Sequence, residues 1–285
     1  MDPGGGEPAE SGRYVLGHTP HELGRLQTQA RLIDPHTRQF FLDAGVESGM
    51  RVLDVGSGAG DVAFVVASLV GRSGEVVGVD RSTTAIALAD ERARTDSVAN
   101  VSFRLGDPFA GAFDEPFDAV VGRYVLQFQP DPVAALRAVA GHARPGGLVA
   151  FHEIDWGGVD SFPSADAYDR TCGWIRDALA SSRTESRMGI KLYSTFVAAG
   201  FANPSLARRS VVGAGDEAAV IATLIVDLAN TLRTEIVGEG IASAEAFDAT
   251  MSALPVEVDA RPTVLVAHGQ FCVWGHVGTI TDPSA

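Results

Sequence analysis

Cysteine and basic residues are scarce in this sequence of 285 residues. The two cysteines, Cys172 and Cys272, have no spacing typical of a metal site or a disulfide framework. Lysine and arginine together number 22 against 36 aspartates and glutamates, so the net charge is −14. Nucleic acids and anionic membranes bind clustered cations. The composition therefore argues against both as partners, and it predicts reduced core thiols in a cytoplasmic protein.

Long apolar runs are absent as well. No stretch approaches the roughly 20 apolar residues that span a bilayer, and residues 1–12 lack the apolar segment of a secretion signal. We expect these first residues to be a disordered lead of a soluble chain. With 46% hydrophobic residues, the chain can bury a full core as one large domain, or as one domain with a sizeable insertion.

A glycine-rich turn between an apolar strand and a helix is the most informative stretch that is present. The predicted strand over 51–55 carries Asp54, and Gly56, Gly58 and Gly60 follow it. Glycines let a ligand approach the bare backbone beside the free N–H groups of the next helix. Parallel α/β sheets bind nucleotide-like ligands at such turns.

The spacing of these glycines predicts a ligand without phosphate. Dinucleotide-binding turns read G-x-G-x-x-G, whereas this turn reads G-x-G-x-G and has Asp61 where the third glycine would stand. A carboxylate there suits a helix N-terminus but repels a pyrophosphate. The turn therefore argues against an NAD(P)-dependent oxidoreductase, which remains an alternative.

Strands and helices alternate from residue 50 onward, as they do in a parallel sheet with helices on both faces. The predicted strands after the first lie at 75–80, 101–105, 117–122, 148–151, 204–212 and 263–276. Two helices within 216–254 form a predicted insertion before the last strand. Upstream, one helix begins at Pro20 and a second at Pro35. These two helices either cover the ligand edge of the sheet or only pack on it.

Acidic residues follow successive strands of the predicted sheet. Asp54, Asp80 and Asp107 stand at the ends of the first three strands, and Arg123 with Tyr124 ends the fourth. Each acid alone could be a cap or a solvated loop residue. Because ligands bind beyond the carboxyl ends of parallel strands, their joint placement predicts a site, in which Asp80 is positioned to accept hydrogen bonds from a ribose diol.

These segments resemble class I S-adenosylmethionine-dependent methyltransferases, in the small-molecule branch with ubiquinone- and menaquinone-type, sugar and natural-product enzymes. The resemblance spans about residues 50–155. It is carried by Val52-Leu-Asp-Val-Gly-Ser-Gly-Ala-Gly60, Val77-Gly-Val-Asp-Arg-Ser82, Gly106-Asp107, Phe117-Asp-Ala-Val-Val-Gly-Arg-Tyr-Val-Leu126, Pro130-Asp-Pro132 and Arg144-Pro-Gly-Gly147. It implies a Rossmann-like α/β fold with a seven-stranded, mainly parallel sheet. A lead and helical cover over 1–45 would precede a core over 46–285, with the insertion at about 214–256.

The resemblance implies S-adenosylmethionine as cofactor and S-adenosylhomocysteine as product. Asp54 would attract the cofactor's amino group, Asp80 would bind the ribose hydroxyls, and Asp107 would bind the adenine amino group. Arg81 departs from the apolar residue usual there, and it would either stack on adenine or face solvent. The implied cofactor residues are Tyr14, Asp54, Gly56, Ser57, Gly58, Gly60, Asp80, Arg81, Gly106, Asp107, Pro108, Phe109, Arg123 and Tyr124.

The candidate proton-transfer residues are His152 and Glu153, after the fifth strand. A histidine has a suitable unperturbed pKa, although His152 could equally be a hydrogen-bonded core residue and Glu153 could bind backbone amides or the cofactor. The segment 152–155 could also hold a divalent cation, but we expect no metal. The candidate acceptor-binding residues, whose aromatics could instead belong to the core, are His18, Gln127, Asp155, Trp156 and Trp174.

The sequence thus predicts a methyltransferase acting on an oxygen, nitrogen or carbon of a small, largely apolar metabolite, in secondary metabolism. One alternative keeps the cofactor as a structural element of a non-methylating enzyme that catalyses a cyclisation or a decarboxylation. A pure binding module would leave the acidic strand ends unexplained. Whether the chain forms a homodimer stays open at this point.

Overall fold

The computed structural model describes residues 20–111 and 113–278, with side chains from residue 32 onward. Tyr14, His18 and the predicted lead lie outside the described residues. The elements in chain order are α1 (Pro20–Ala44), β1 (Arg51–Val55), α2 (Asp61–Val70), β2 (Glu75–Asp80), α3 (Thr83–Thr95), β3 (Val101–Leu105), β4 (Phe117–Arg123), α4 (Pro132–Ala140), β5 (Ala143–Asp155), β6 (Asp160–Phe162), α5 (Asp166–Ser181), α6 (Met188–Ala199), β7 (Ser205–Ala214), α7 (Asp216–Thr231), α8 (Arg233–Gly238), α9 (Ala244–Asp259) and β8 (Val264–His276).

The strands form one mixed sheet with helices on both faces, which confirms the predicted fold class. Its order is β3-β2-β1-β4-β5-β8, and both β6 and β7 pair with β8. The first five strands are parallel, and β8 is antiparallel to its neighbours. The strand order reverses between β1 and β4, so the crevice beyond their carboxyl ends is where a ligand binds in such sheets.

The central strands are apolar because both of their faces are covered. Val52, Leu53 and Val55 of β1 have no exposed surface, and the same holds for most of β4. Parallel strands covered by helices on both faces are nearly continuous in hydrophobic residues. This burial gives the rigid base from which the glycine turn projects.

The sheet has eight strands rather than the predicted seven. The long strand β8 pairs with β5 only as far as Gly269, opposite Asp155. Its remaining residues pair with the short strand β6, from Asp160 opposite Val266 to Phe162 opposite Val264. Because β8 continues beyond the end of β5 at Asp155, a three-residue strand satisfies its remaining backbone groups, and no period in the sequence marks so short a strand.

The N-terminal part of the chain forms one helix, so the prediction of two helices was wrong. Pro35 lies inside α1. Proline removes one backbone donor and disfavours a helix interior. Packing offsets that loss here, because Ile33, Phe40 and Phe41 of the same helix are buried and most helical stability comes from such packing.

A second apolar cluster lies beside the sheet core. It is built by α5, α7, α8 and α9 together with Trp156 and Ile33, and we call it the helical cluster. The predicted insertion contains three helices rather than two, because a break at Leu232 separates α7 from α8. The division into cover, core and insertion stays a prediction. Among the described helices, none is both long and apolar enough to cross a membrane.

Candidate active site

Asp54 is a buried carboxylate at the carboxyl end of β1. Its exposed fraction is 1%, and neither oxygen has a hydrogen-bond partner of good geometry among the described residues. Burial raises the pKa of Asp54 well above its usual value, and the nearby Arg123 and the Ala63 backbone N–H oppose this only in part. A buried group without a partner is costly, so this position favours a ligand with hydrogen-bond donors or positive charge.

The glycine turn above Asp54 is tight and open towards the crevice. Ser57 donates its backbone N–H to Val79 at 3.0 Å, and Gly60 donates to Ser57 at 2.9 Å. Gly58 has φ 52°, and a Cβ there would meet no atom within 4 Å. At Gly60, with φ 90°, a Cβ would come within 2.7 Å of Phe103. The turn therefore needs glycine at both positions, for backbone conformation at the first and for space at the second.

Asp80, at the end of β2, fixes the turn. One carboxylate oxygen accepts the backbone N–H of Gly58 at 2.9 Å, and the other accepts that of Ser82 at 2.8 Å. A carboxylate can accept about four hydrogen bonds. Asp80 therefore has acceptor capacity left for a ligand while it joins β2 to the glycine turn.

Asp107, at the end of β3, is paired with Arg81. The Arg81 guanidinium donates to one carboxylate oxygen at 2.6 Å, and the other oxygen accepts the Phe109 backbone N–H at 2.9 Å. The guanidinium carbon lies 5.8 Å from the centre of the Phe109 ring. Arg81 is thus paired with Asp107 rather than isolated in solvent. It occupies one oxygen of the carboxylate that we expect to bind the adenine amino group.

The other predicted cofactor residues line the same edge of the sheet. The Ser57 hydroxyl is buried and has no partner among the described residues. Gly56 has φ 66°, and the side chain of Val125 lies against it. Gly106 donates its N–H to the Asp80 carbonyl at 2.9 Å, and the Pro108 carbonyl accepts a hydrogen bond from His142 at 2.9 Å. The structure therefore brings the ends of β1, β2 and β3 together as the sequence predicted.

This edge fits S-adenosylmethionine. The buried carboxyl of Asp54 suits a cationic amino acid moiety, and the open surface at Gly58 leaves room for a ligand against the backbone. Asp80 retains acceptor capacity for hydroxyl groups. A pyrophosphate would instead meet the carboxylates of Asp54 and Asp80, which repel it. Asp61 contributes less to this repulsion than the sequence suggests, because Arg92 pairs with it at 2.7 Å.

Arg123 joins the N-terminal helix to the end of β4. One of its nitrogens donates to Asp34 at 2.7 Å and to the Thr37 hydroxyl at 2.8 Å, both on α1. Only 10% of the Arg123 side chain is exposed, against 32% for Asp34. The cation therefore ties α1 to the carboxyl end of β4, and whether α1 covers a ligand there or only packs on the sheet stays open.

Tyr124, the next residue, has a strained backbone with φ 58°. Bulky residues rarely adopt this left-handed conformation, and such strain clusters at functional sites. The phenol donates a hydrogen bond to the Gln270 side-chain oxygen at 2.5 Å. Burial raises the pKa of Tyr124, so the ring is a neutral phenol that acts as a donor.

His152 is completely buried, and both of its ring nitrogens have partners. Nδ1 lies 3.2 Å from the Thr37 hydroxyl, and Nε2 lies 2.7 Å from the Gln270 side-chain oxygen. Phe40 and Tyr124 contact the ring edge to face. Burial lowers the pKa of His152 well below its usual value, and the Arg123 cation lowers it further. These contacts are those of a neutral, hydrogen-bonded core histidine.

Glu153 points to the opposite face of β5. One oxygen accepts the backbone N–H groups of Val125 and Leu126, at 2.9 and 2.7 Å, and the other is buried without a partner among the described residues. Burial raises the pKa of Glu153 to about 7, although the backbone donors oppose the shift. The side chain thus holds the loop that follows Tyr124.

His152 faces the side of β5 opposite to Glu153 and Asp155, because neighbouring residues of a strand face opposite sides. Glu153 and Asp155 share a face but contact different partners. Asp155 accepts the Gly157 backbone N–H at 2.8 Å and the Arg187 guanidinium at 3.1 Å. In the part of the chain that the structure describes, no group of His, Cys, Asp and Glu has the geometry of a metal site.

The predicted acceptor-binding residues are dispersed. Trp156 is buried in the helical cluster, and Trp174 stacks on Phe247 at 6.1 Å at the cluster's edge. The Gln127 side chain is buried, and its amide lies 3.5 Å from the Tyr124 carbonyl. Trp156 thus belongs to the helical cluster, against which Tyr124 also packs, whereas Trp174 joins two helices of the cluster.

Sequence reasoning missed three polar residues of the same region, Thr37, His268 and Gln270. Gln270 contacts Tyr124, His152 and His268, and Thr37 contacts Arg123 and His152. The available signal was the presence of His268 and Gln270 inside an otherwise apolar last strand. Buried polar residues in such a strand are informative because they need partners.

The chain matches known methyltransferases. The family profile described as methyltransferase domain matches residues 46–188, half of the chain. An arsenite methyltransferase of Aquipseudomonas alcaligenes is 39% identical over 37% of this chain and 33% of its own length. A 2-phytyl-1,4-naphtoquinone methyltransferase of Synechococcus elongatus is 37% identical over 39% of this chain and 48% of its own length. The chain thus matches less than half of these curated relatives.

Solved structures share the fold. The YcgJ protein of Bacillus subtilis superposes with a TM-score of 0.56 at 21% identity, over 85% of this chain and 98% of its own. The [4+2]-cyclase SpnF superposes with a TM-score of 0.54 at 19% identity, over 86% and 81%. The family match confirms the predicted resemblance, and with it S-adenosylmethionine as the cofactor of this class. The chain belongs to the methyltransferase domain family.

Proposed function

We propose that this protein transfers the methyl group of S-adenosylmethionine to a small, largely apolar metabolite. The observation that carries the proposal is the buried, unpartnered carboxyl of Asp54 beneath the open turn at Gly58. When bound, the cofactor supplies an electrophilic methyl group on a cationic sulfonium. A cationic ligand compensates the charge of a buried anion. A phosphate-bearing cofactor is itself anionic and gives no such compensation.

We assign the cofactor half of the site to the ends of β1, β2 and β3. Asp54 receives the cationic amino acid end, and Asp80 uses its remaining lone pairs for the ribose hydroxyls. Phe109 offers an apolar surface for the adenine ring beside Asp107. These roles need little movement, because backbone hydrogen bonds already hold Asp80 and Asp107 in place.

The acceptor half is assigned to Tyr124, Trp156 and the adjoining helical cluster. Positioning alone can lower the barrier of such a displacement by about 7–11 kcal/mol. Both His152 and Glu153 are fully buried, and each makes hydrogen bonds within the chain. We therefore assign them to positioning, His152 for Tyr124 and α1 and Glu153 for the loop after Tyr124, rather than to proton transfer.

An apolar organic acceptor is favoured over an inorganic one. The relatives' names specify arsenite and a phytyl naphthoquinone. A soft ion such as arsenic(III) is held by thiolates, yet Cys172 and Cys272 are both buried. Burial raises the pKa of Cys172 to about 12, and it also raises the pKa of Cys272. The described site therefore lacks accessible thiolates and has apolar walls.

Incubation of the purified protein with methyl-labelled S-adenosylmethionine and a panel of apolar acceptors tests the proposal. Label should appear in a product, and calorimetry should show S-adenosylhomocysteine binding more tightly than NADH. Product without label would instead support the cyclisation or decarboxylation alternative. Cytoplasmic location and a role in secondary metabolism stay predictions of the sequence, and whether the chain forms a homodimer stays open.

A further inference from the structure

The Tyr124 side chain is held at both of its ends. Its backbone N–H donates to the His152 carbonyl at 2.9 Å, and its phenol donates to the Gln270 side-chain oxygen at 2.5 Å. Between these two contacts, the tyrosine ring meets the His152 ring edge to face, with centroids 5.3 Å apart. The backbone φ of 58° is one that a bulky residue adopts only where its surroundings impose it. The ring therefore has a fixed position before an acceptor binds.

The orientation of the Gln270 amide determines the direction of the phenol proton. The amide nitrogen lies 3.4 Å from the His268 carbonyl oxygen and 2.6 Å from Nδ1 of the same residue. A carbonyl oxygen only accepts hydrogen bonds, so the amide nitrogen belongs on that side and the amide oxygen faces Tyr124. Because an amide oxygen also only accepts, Tyr124 donates its single hydroxyl proton to Gln270.

The Gln270 amide is itself held in this orientation. Its oxygen also accepts from His152 Nε2 at 2.7 Å, and Nδ1 of that ring lies 3.2 Å from the Thr37 hydroxyl of α1. A half-turn of the amide would bring its oxygen against the His268 carbonyl oxygen, where two acceptors repel each other. The phenol proton therefore stays directed at Gln270, and it is not available to an acceptor molecule.

The phenol oxygen still has acceptor capacity. A tyrosine hydroxyl both donates and accepts, and the described residues give the Tyr124 hydroxyl one hydrogen-bond partner, the Gln270 oxygen. Gln270 and His152 have no exposed surface, whereas Tyr124 is partly exposed and packs against the helical cluster. The remaining lone pairs of the phenol thus lie where a buried polar network meets the apolar walls assigned to the acceptor.

We propose that Tyr124 accepts a hydrogen bond from the acceptor molecule, through the lone pairs of a phenol whose own proton Gln270 holds. The inference rests on the proposed function and narrows its substrate class to apolar molecules that carry a hydroxyl or N–H group. An ether of the same shape would bring its lone pairs against those of the phenol. A phenol that already donates is also a better acceptor, because hydrogen bonds in series polarise one another. Tyr124 is therefore a specificity-determining residue rather than a base.

Binding of two matched probes tests this contact. In the presence of S-adenosylhomocysteine, calorimetry compares 2-naphthol with 2-methylnaphthalene, which has nearly the same shape and no hydrogen-bonding group. The wild type should prefer the naphthol by about fivefold, as one hydrogen bond predicts. Tyr124→Phe keeps the ring and should lose this preference. Tyr193→Phe is the matched control, because that tyrosine is 43% exposed on α6, and it should keep the preference.

A third probe tests the role of Gln270. 2-Methoxynaphthalene only accepts hydrogen bonds, so the wild type should bind it no better than 2-methylnaphthalene. Gln270→Leu removes the group that holds the phenol proton, so Tyr124 can donate to the ether and this variant should prefer the methoxy probe. A tyrosine that served only as an apolar wall would give no such change in preference. Urea denaturation checks that the variant is folded, and if it is not, the comparison with Tyr124→Phe decides alone.

Four results would overturn the assignment of Tyr124. They are equal wild-type affinities for 2-naphthol and 2-methylnaphthalene, no binding of 2-naphthol, a wild-type preference for the methoxy probe, and an unchanged preference for the naphthol in Tyr124→Phe. None of these measurements requires methyl transfer. The assignment of Tyr124 and the proposed transfer of a labelled methyl group can therefore fail separately, and the two failures are distinguishable.

Discussion

Asp54 and His152 are two buried polar residues of one sheet whose surroundings are opposite. Asp54 has no hydrogen-bond partner of good geometry among the described residues, whereas His152 has a partner for each nitrogen. Burial disfavours the charged form of both, raising the pKa of Asp54 and lowering that of His152. The chain thus provides hydrogen-bond partners for His152 and none of good geometry for Asp54 among the described residues.

The difference indicates which residue faces a ligand. A buried group that forms its hydrogen bonds within the chain stabilises the fold. A buried carboxyl without such bonds can gain them from a ligand and so contribute to the binding free energy. We therefore propose that Asp54 belongs to the binding surface and that His152 belongs to the support behind it. Four substitutions test this distinction.

The largest effect is expected for Asp54→Asn. Hydrogen bonds to charged groups contribute about 1.5–3 kcal/mol, so affinity for S-adenosylhomocysteine should fall by about 10- to 100-fold in calorimetry. Burial raises the pKa of Asp54 in the folded protein above 3.8, so the wild type loses stability as the pH rises above that value. Asparagine does not ionise, so the ligand-free variant should be more stable than the wild type at pH 8. Binding and stability should therefore change in opposite directions.

Asp118→Asn is the matched control for that variant. Asp118 lies at the far end of β4 and accepts the Arg51 backbone N–H at 2.8 Å, which lowers its pKa. Its stability contribution is present above pH 3.8, so this variant should lose stability at pH 8 and bind S-adenosylhomocysteine like the wild type. If Asp54→Asn behaves like the control, Asp54 is a structural residue.

Glu153→Gln has the next largest expected effect. The pKa of Glu153 is raised from 4.5 to about 7, so wild-type stability should be lost as the pH rises through that window. The variant keeps an acceptor for Val125 and Leu126 and removes the buried charge. Its free energy of unfolding should be about 3 kcal/mol higher than that of the wild type at pH 8 and about equal at pH 4, measured by urea denaturation at both values. An equal difference in the free energy of unfolding at pH 4 and at pH 8 would show that Glu153 does not titrate between these values.

Local patterns in the sequence were sufficient to predict the strand ends to which we assign the cofactor. Asp54, the turn and Asp80 each lie next to a predicted strand end, and parallel strands place such ends together. The proposed acceptor half depends on contacts between residues that are far apart in the sequence, and no local pattern links such residues. His152 and Gln270 are 118 residues apart, and their contact depends on β8 lying antiparallel to β5.

Tertiary packing also overrode local signals in two places. Pro35 predicted a helix start, but the buried side chains of Ile33 and Phe40 hold one continuous helix. Arg81 could be predicted to stack or to face solvent, and its pairing with Asp107 could not be inferred because it joins different strand ends. Propensity is a weak guide where non-local contacts decide.

His152→Leu is expected to have a moderate effect. The change leaves Thr37 and Gln270 each with one partner fewer, which should lower the free energy of unfolding by about 1–2 kcal/mol. Affinity for S-adenosylhomocysteine should stay within about threefold, since His152 contacts no group of the glycine turn. His276→Leu is the control, because that histidine is exposed and bonds only the Gly146 carbonyl among the described residues. A loss of affinity with unchanged stability would reverse the distinction between His152 and Asp54.

The smallest effect is expected for Arg81→Ala. Arg81 and Asp107 are 49% and 37% exposed, and ion pairs of this kind contribute about 0–1 kcal/mol. Stability should therefore hardly change in thermal unfolding. Affinity for S-adenosylhomocysteine should change by less than about fivefold in either direction, since the variant frees one Asp107 oxygen for adenine but loses the guanidinium near Phe109. Asp107→Ala provides the comparison: if Arg81 only shields Asp107, the double variant should bind like Asp107→Ala alone. A tenfold loss in Arg81→Ala would instead show that the guanidinium contacts the nucleoside directly and extends the binding surface of Asp54 to the end of β3.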